Sequence, residues 1–497
     1  MTESLGKERR TTKSKKFYVF GSLKIYLHIL LLGFSVLSFV LFFLKDYLPF
    51  YVSIVLMSLT IALFFSIKRF YLAKFGLIAL ALPYIHLIPY LWFDWNERPE
   101  LMWGLASNPY MFERDIINLT SMIATISVIA FYFGVLIVQN MNFYKNKNAD
   151  FDSHPPRNHQ PALPIFYTLI LCLFSIFSSY LVAPKETILT AAYTTSEGIS
   201  QGWDFSSLWT FSYVALIFAF VDAIFEYSRF RKKIKFFILI ISTLIIVTFF
   251  QLLRGDRESI TLVISLIFIY FFLNPFLIKK NRKTMNIFKL AKVGLLVFVL
   301  FFVSYFFGAA RSSMHYDRMG FIENYIKEFQ PEKLIYGTWS AVLLSPLSVS
   351  GDYIYGLLKF EYGQTYIDLI LSLPPGFVAN FLGYERPIDA FKGPAWKMTY
   401  GIGGTHATVV PFMNFGLIGV FFILMLIGYF LAYIDLSYQK KQNATSISLA
   451  GVLVMILPHW FWYGEKYFIN VMIIWFLFYF LYAIFCGIKR EKSPNSL

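Results

Sequence analysis

Runs of about 20 apolar residues recur from one end of this chain to the other, and they decide most of what it can become. A helix has to rise about 30 Å to cross the hydrocarbon core of a bilayer, which takes roughly 20 residues. Backbone groups in lipid find no water, so such runs fold as helices that satisfy their own hydrogen bonds. On that length criterion, spans fall at 24–44, 48–67, 72–93, 116–138, 163–183, 208–227, 236–253, 259–278, 287–309, 412–436, 447–463 and 467–488. The expected fold class is therefore all-α: a polytopic integral membrane protein with about 12 transmembrane helices. A composition of 57% hydrophobic and 15% charged residues agrees, being too apolar and too sparsely charged for a soluble domain. The apolar run after the opening "MTESLGKERRTTKSKKF" lacks a small-residue cleavage pattern and reads as a retained first span. Cys172 and Cys486 each lie inside an apolar run, which excludes a disulfide framework or a thiolate metal site.

The connections sort by charge. "IKRF" at 67–70, "YKNKN" at 144–148, "RFRKKIK" at 229–235, "KKNRK" at 279–283, "QKKQ" at 439–442, the basic N-terminus and the "KREK" tail all fall on one face. By the positive-inside rule that face is cytoplasmic, and both termini with it. The net charge of +15 is a by-product of this sorting, and the absence of a basic, aromatic-interleaved soluble segment excludes nucleic acid as a partner. The organisation expected is a basic N-terminus (1–23), spans 1–9 (24–309), a non-cytoplasmic connection (310–411), spans 10–12 (412–488) and a cytoplasmic tail (489–497). A connection of that length is far beyond ordinary loops and points to a functional lid or a small domain. Within it, "ENYIKEFQPEKLIYGTW" and "GDYIYGLLKFEYGQTYIDLILSLPPGF" space their apolar residues as helices lying along the interface, a roof over a membrane-level cavity.

On the same non-cytoplasmic face lies the turn "LLRGDRESIT", with Arg254 and Arg257 where the positive-inside rule gives no reason for them. Helix capping accounts for Gly255, Asp256 and, equally well, Arg254. Arg257 falls in the first turn of the next helix, where a cation opposes the helix dipole unless an anion is held there. Arg311 in "FGAARSSM" follows another span and either snorkels or joins that anion site. His406 in "GIGGTHATVVPFMNFG" is a candidate general base or a structural loop residue, and Glu465 with Lys466 forms a charged tip between the last two spans. HExxH, Walker and Cys/His metal spacings are absent, and Asp94 with Glu97 in "DWNE" reads as a wet acidic loop, so neither a metal nor another cofactor is expected.

"LLRGDRESITLVISL", "FGAARSSM", "SLPPGF", "YERP" and "GIGGTHATVVPFMNFGLIG", in that order over 251–419, resemble the bacterial oligosaccharide repeat-unit polymerases of the Wzy type, which include O-antigen, capsule and enterobacterial common antigen polymerases. The resemblance implies a GT-C-like membrane glycosyltransferase that joins repeat units carried on undecaprenyl pyrophosphate at the outer face of the bacterial cytoplasmic membrane. By position it matches Arg257, Arg311 and Arg386 to arginines of the family. A sugar linked through C1 to pyrophosphate already has a good leaving group, so the expected chemistry is that Arg257 and Arg311 hold the pyrophosphate with Arg254, Arg386 and Lys466 assisting, while His406 or Glu465 orients the acceptor hydroxyl. Trp339, Tyr355, Tyr362, Trp396 and Tyr400 then offer aromatic faces for sugar rings. Expected partners are the bilayer, the lipid-linked oligosaccharide, a chain-length regulator and a flippase. A flippase or other transporter shares the spans but needs cations along a path to both faces; a polysaccharide ligase differs only in its acceptor.

Overall fold

The computed structural model describes residues 70–87, 113–145, 163–182, 206–230, 232–252, 259–273, 340–374, 376–385, 405–441 and 443–491, with isolated positions at 59, 60, 63, 64, 67, 295, 299, 302 and 387. The described elements are all helical, with no strand among them. They are α1 (Tyr71–Ala81, continued by a 3-10 turn Leu82–Leu87), α2 (Arg114–Lys145), α3 (Ile165–Val182), α4 (Ser206–Phe230), α5 (Ile234–Leu244, continued by a π turn Ile245–Gln251) and α6 (Ser259–Phe268, continued by a π turn Ile269–Leu273). After these come α7 (Ser340–Ile354), α8 (Gln364–Ser372), α9 (Gly376–Phe381), α10 (Val409–Lys441), α11 (Ala444–Tyr463) and α12 (Glu465–Glu491).

Seven stretches among the described residues are long and apolar enough to cross a membrane: Asp115–Met141, Ile165–Val182, Leu208–Tyr227, Ile234–Gln251, Val409–Gln439, Ala444–Trp462 and Tyr467–Cys486. Tyr71–Tyr84 and Ser259–Leu273 are shorter apolar helices. Of the expected spans, 24–44 lies outside the described residues, and 48–67 and 287–309 lie almost wholly outside them. A bundle rich in Phe, Leu and Ile exposes many of them, among them Phe166, Phe237 and Phe476, which is what a lipid-facing surface requires.

The most extensive packing is between α2 and α10. Gly134 and Gly428 make it possible, because a Cβ on Gly134 would strike the Met425 carbonyl and one on Gly428 the Phe131 carbonyl. Small residues that let helix backbones touch are the usual device where lipid offers no hydrophobic drive to association.

Polar contacts show which helix ends lie together. At one end, the Asp435 carboxylate on α10 accepts the Leu72 and Ala73 amides of α1 at 3.2 and 2.9 Å, and the Tyr438 hydroxyl donates to the Leu273 carbonyl at 2.7 Å. At the other, the 3-10 turn after α1 meets residues 405–408, and the Ala407 amide donates to Phe461 O on α11 at 2.8 Å. Ser259, at the start of α6, belongs to this second end, since α6 rises about 20 Å between it and Leu273.

One element of the long connection lies mostly between the two stretches expected to form an interfacial roof. Helix α7, "SAVLLSPLSVSGDYI", has residues 342–351 buried and packs against α2, the 3-10 turn and α10. Its Ser350 hydroxyl donates to Pro346 O at 2.7 Å and lies 2.9 Å from the Thr120 hydroxyl on α2. Serines that return their hydroxyls to a nearby carbonyl or a neighbouring hydroxyl can be buried without an orphaned donor, so a Ser-rich, amphipathic-looking stretch fits inside the bundle.

Candidate functional site

The site is built at the bundle end where α10 and α12 begin and α11 stops. Gly464, at φ 104°, is a conformation that suits glycine, and it breaks α11 from α12 so that Glu465 becomes the first residue of the new helix. A carboxylate in a first turn is favoured by the helix dipole. Yet both Glu465 oxygens are buried and unpartnered among the described residues, although the residue as a whole keeps partial exposure. Burial pushes this carboxyl up from its ordinary value near 4.5 to about 7, against a small opposing effect of its own backbone amide.

An apolar patch lies beside it, with Leu369 of α8 packed on Val410 of α10, and Tyr366 and Ile469 around them. The Tyr366 hydroxyl is also buried without a partner among the described residues. Its acidity is suppressed first by burial and second by the Glu465 charge, so the two groups share one low-dielectric space. Asn414 anchors α8 over that space. Its Oδ1 accepts the Gly363 amide at 2.7 Å, and its Nδ2 donates to Thr365 Oγ1 at 2.5 Å and to Val410 O at 2.8 Å. The anchoring works because α10 is broken at Phe415 and Gly416, the latter at φ 62°, which turns the "PFMN" segment away from the membrane-spanning part of the helix.

His406 is fully buried, with its ring edge against Tyr84. Nε2 lies 3.2 Å from the Leu80 carbonyl, which can only accept, so Nε2 carries the hydrogen. Nδ1 then accepts, with Thr408 Oγ1 at 2.9 Å and the Tyr84 hydroxyl at 3.3 Å, and these two hydroxyls are 2.6 Å apart. The His406 amide donates to Ser345 Oγ of α7 at 3.0 Å. Burial pulls this imidazole down to about 3, so it is neutral and tautomerically fixed at physiological pH. It ties α1, α7 and α10 together behind the Glu465 region.

The remaining sequence-stated candidates divide simply. Arg254, Arg257, Arg311, Trp339, Arg386, Trp396 and Tyr400 lie outside the described residues, as do Asp94 and Glu97. Lys466 is in the first turn of α12, with only its backbone described. Tyr355 and Tyr362 are exposed; Tyr362 has φ 46° in the turn ahead of α8, with its ring 6.3 Å from that of Phe360. Tyr366 is the residue that sequence reasoning missed. It stands in "GQTYIDLIL", where amphipathic spacing marks a surface helix but not which tyrosine turns inward.

What the arrangement offers is a buried carboxyl with a proton affinity near neutrality, a phenol in the same space, and a roof helix held by an asparagine. A group with that affinity can exist ionised and still accept a proton at working pH. Residues 23–392 match the family model described as O-antigen polysaccharide polymerase Wzy. No curated protein and no solved structure matches the chain.

Proposed function

The chain belongs to the O-antigen polysaccharide polymerase Wzy family, and from that premise we propose that it joins oligosaccharide repeat units carried on undecaprenyl pyrophosphate, by glycosyl transfer at the outer face of the cytoplasmic membrane. The observation that carries this reading is the Glu465 carboxylate, buried beside Tyr366 and unpartnered among the described residues, at the bundle end where α6 begins.

In the proposed reaction, the acceptor unit's hydroxyl oxygen attacks C1 of the donor sugar while the C1–oxygen bond to pyrophosphate breaks. Glu465 takes the hydroxyl proton, and Tyr366 holds the attacking oxygen in line. The electron pair of the broken bond leaves on undecaprenyl pyrophosphate. Arg257 and Arg311, permanently charged planar forks, bind its oxygens and stabilise the charge that develops, with Arg254, Arg386 and Lys466 assisting. Guanidinium groups supply that charge at any physiological pH, which makes a metal-independent transfer of the GT-C type the economical reading. His406 keeps the surrounding helices in place instead of exchanging protons. Tyr362, exposed on the turn ahead of α8, offers a sugar-stacking face together with Trp339, Trp396 and Tyr400.

The test uses the purified full-length chain in proteoliposomes with a lipid-pyrophosphate repeat unit. Long polymer is expected, and Arg257→Ala or Arg311→Ala at equal protein level should shorten or abolish it. Polymer of unchanged length from both variants overturns the arginine assignment. Substrate moved across the bilayer but chemically unaltered overturns polymerisation in favour of transport, and single transfer to a foreign acceptor overturns it in favour of ligation.

A further inference from the structure

Along α5 and into its π turn the buried positions are Lys235, Leu239, Ser242 and Ile246, at spacings of four, three and four residues, as a helix packed on one face should have. The next buried residue is Gln251, five residues on, while Phe249 is 56% exposed. The five-residue step is the period of the π turn Ile245–Gln251. An α-helical continuation would have turned Phe249 or Phe250 inward. The chain instead sends a phenylalanine towards lipid and a glutamine into the protein.

Gln251 is fully buried, and neither its Oε1 nor its Nε2 has a hydrogen-bond partner among the described residues. Across the connection, Ser259 opens α6, which packs on the π turn; it too is fully buried, with Oγ unpartnered. Leaving a buried polar group unsatisfied costs about 1–3 kcal/mol, and three such atoms, orphaned among the described residues on either side of one turn, point to a bound polar group. The chemistry of the three atoms narrows its class. Nε2 only donates, Oε1 only accepts, and Oγ does both. A phosphate would repel Oε1. A neutral group that both donates and accepts, such as a sugar hydroxyl or acetamido group, satisfies all three.

We infer that Gln251 and Ser259 bind the sugar directly attached to the pyrophosphate of the lipid-linked substrate, and so read its identity. The inference rests on the proposed function, in which Arg254 and Arg257, in the residues between these two, hold that pyrophosphate. The charged groups fix the lipid diphosphate whatever it carries, and the neutral pair checks what is joined to it.

Binding of undecaprenyl pyrophosphate, with and without its first sugar, to the full-length protein in nanodiscs tests the assignment. Wild-type protein should prefer the sugar-bearing lipid. Gln251→Leu should weaken binding of that lipid about tenfold to hundredfold, leave binding of the bare lipid unchanged, and melt no lower than wild type because an orphaned amide has been removed. Ser259→Ala, too small a change to unfold the chain, should lose part of the same preference. A Gln251→Leu variant that keeps the full preference, or that loses both lipids equally, overturns the inference while the functional reading stands. Wild-type protein that binds neither lipid overturns that reading, and this inference with it.

Discussion

Glu465 and His406 are both buried ionisable residues at the same bundle end, and burial does opposite things to them. The histidine loses its charge and becomes a fixed donor–acceptor, with every ring nitrogen engaged. The carboxyl keeps its proton up to about pH 7 because burial outweighs the compensation offered by its own backbone amide. Folding raises its proton affinity, so between about 4.5 and 7 the folded chain holds a proton that the unfolded chain has released. Its contribution to stability is therefore complete below that window and lost as pH climbs through it. Activity should move the other way, rising through about pH 7 as the base ionises. Glu465→Gln should flatten the pH dependence of thermal stability over that window and reduce polymerisation by about 10²–10⁴-fold. Polymer-forming activity that survives the substitution with the same pH profile removes Glu465 from the reaction. Because Glu465 itself inflects near 7, the residual activity of Glu465→Gln is the profile to read for His406: no inflection is expected there near 6.5, and one would show that the imidazole titrates in the working enzyme.

At the scale of elements, the seven stretches long enough to cross a membrane were legible because their length is dictated by the bilayer, and "IFYTLILCLFSIF" or "NFGLIGV" announce themselves by apolar run alone. Helix α7 was not, because burial of its serines depends on hydroxyls that return to Pro346 and meet Thr120 of a helix more than two hundred residues away in sequence. Nor were the π turns or the break at Phe415 and Gly416, which change which residues face inward without changing composition. The same holds for Asp435. A carboxylate inside an apolar span reads as a functional group by default, but here it accepts the first amides of α1, a helix whose own N-cap position, Phe70, supplies no side-chain oxygen. It is a helix cap provided by another helix. Asp435→Ala should therefore lower stability by about 1–2 kcal/mol, read as a lower melting temperature in detergent, while specific polymerisation per folded molecule is unchanged. A large loss of specific activity at full stability would give this carboxylate a role in the reaction instead.

Across the whole molecule, the candidate site and the best-compensated charges occupy opposite ends. Lys235 is buried and donates to Leu163 O at 2.8 Å, to Asp222 at 2.5 Å, and pairs with Glu226 at 2.6 Å. The basic run "RFRKKIK" reads as a solvated orientation signal, yet this member of it is spent inside the protein, holding α4, α5 and the start of α3 together. Tyr482 of α12 packs near that cluster against Tyr167, with ring centroids 6.3 Å apart, and α12 rises about 25 Å between Glu465 and this point. Two charge arrangements so far apart, sharing no partner, should act independently. Lys235→Met leaves the buried Asp222 and the partly buried Glu226 without their cation and should cost about 3–5 kcal/mol, whereas Glu465→Gln removes a buried charge and should cost nothing above pH 7. In the double variant the two stability changes should add, and at a temperature where all forms stay folded only the Glu465 substitution should reduce polymer synthesis. A Lys235→Met protein that is folded but makes shorter polymer would mean that the two ends communicate through α12, and the separation of a structural clasp from a reacting end would have to be abandoned.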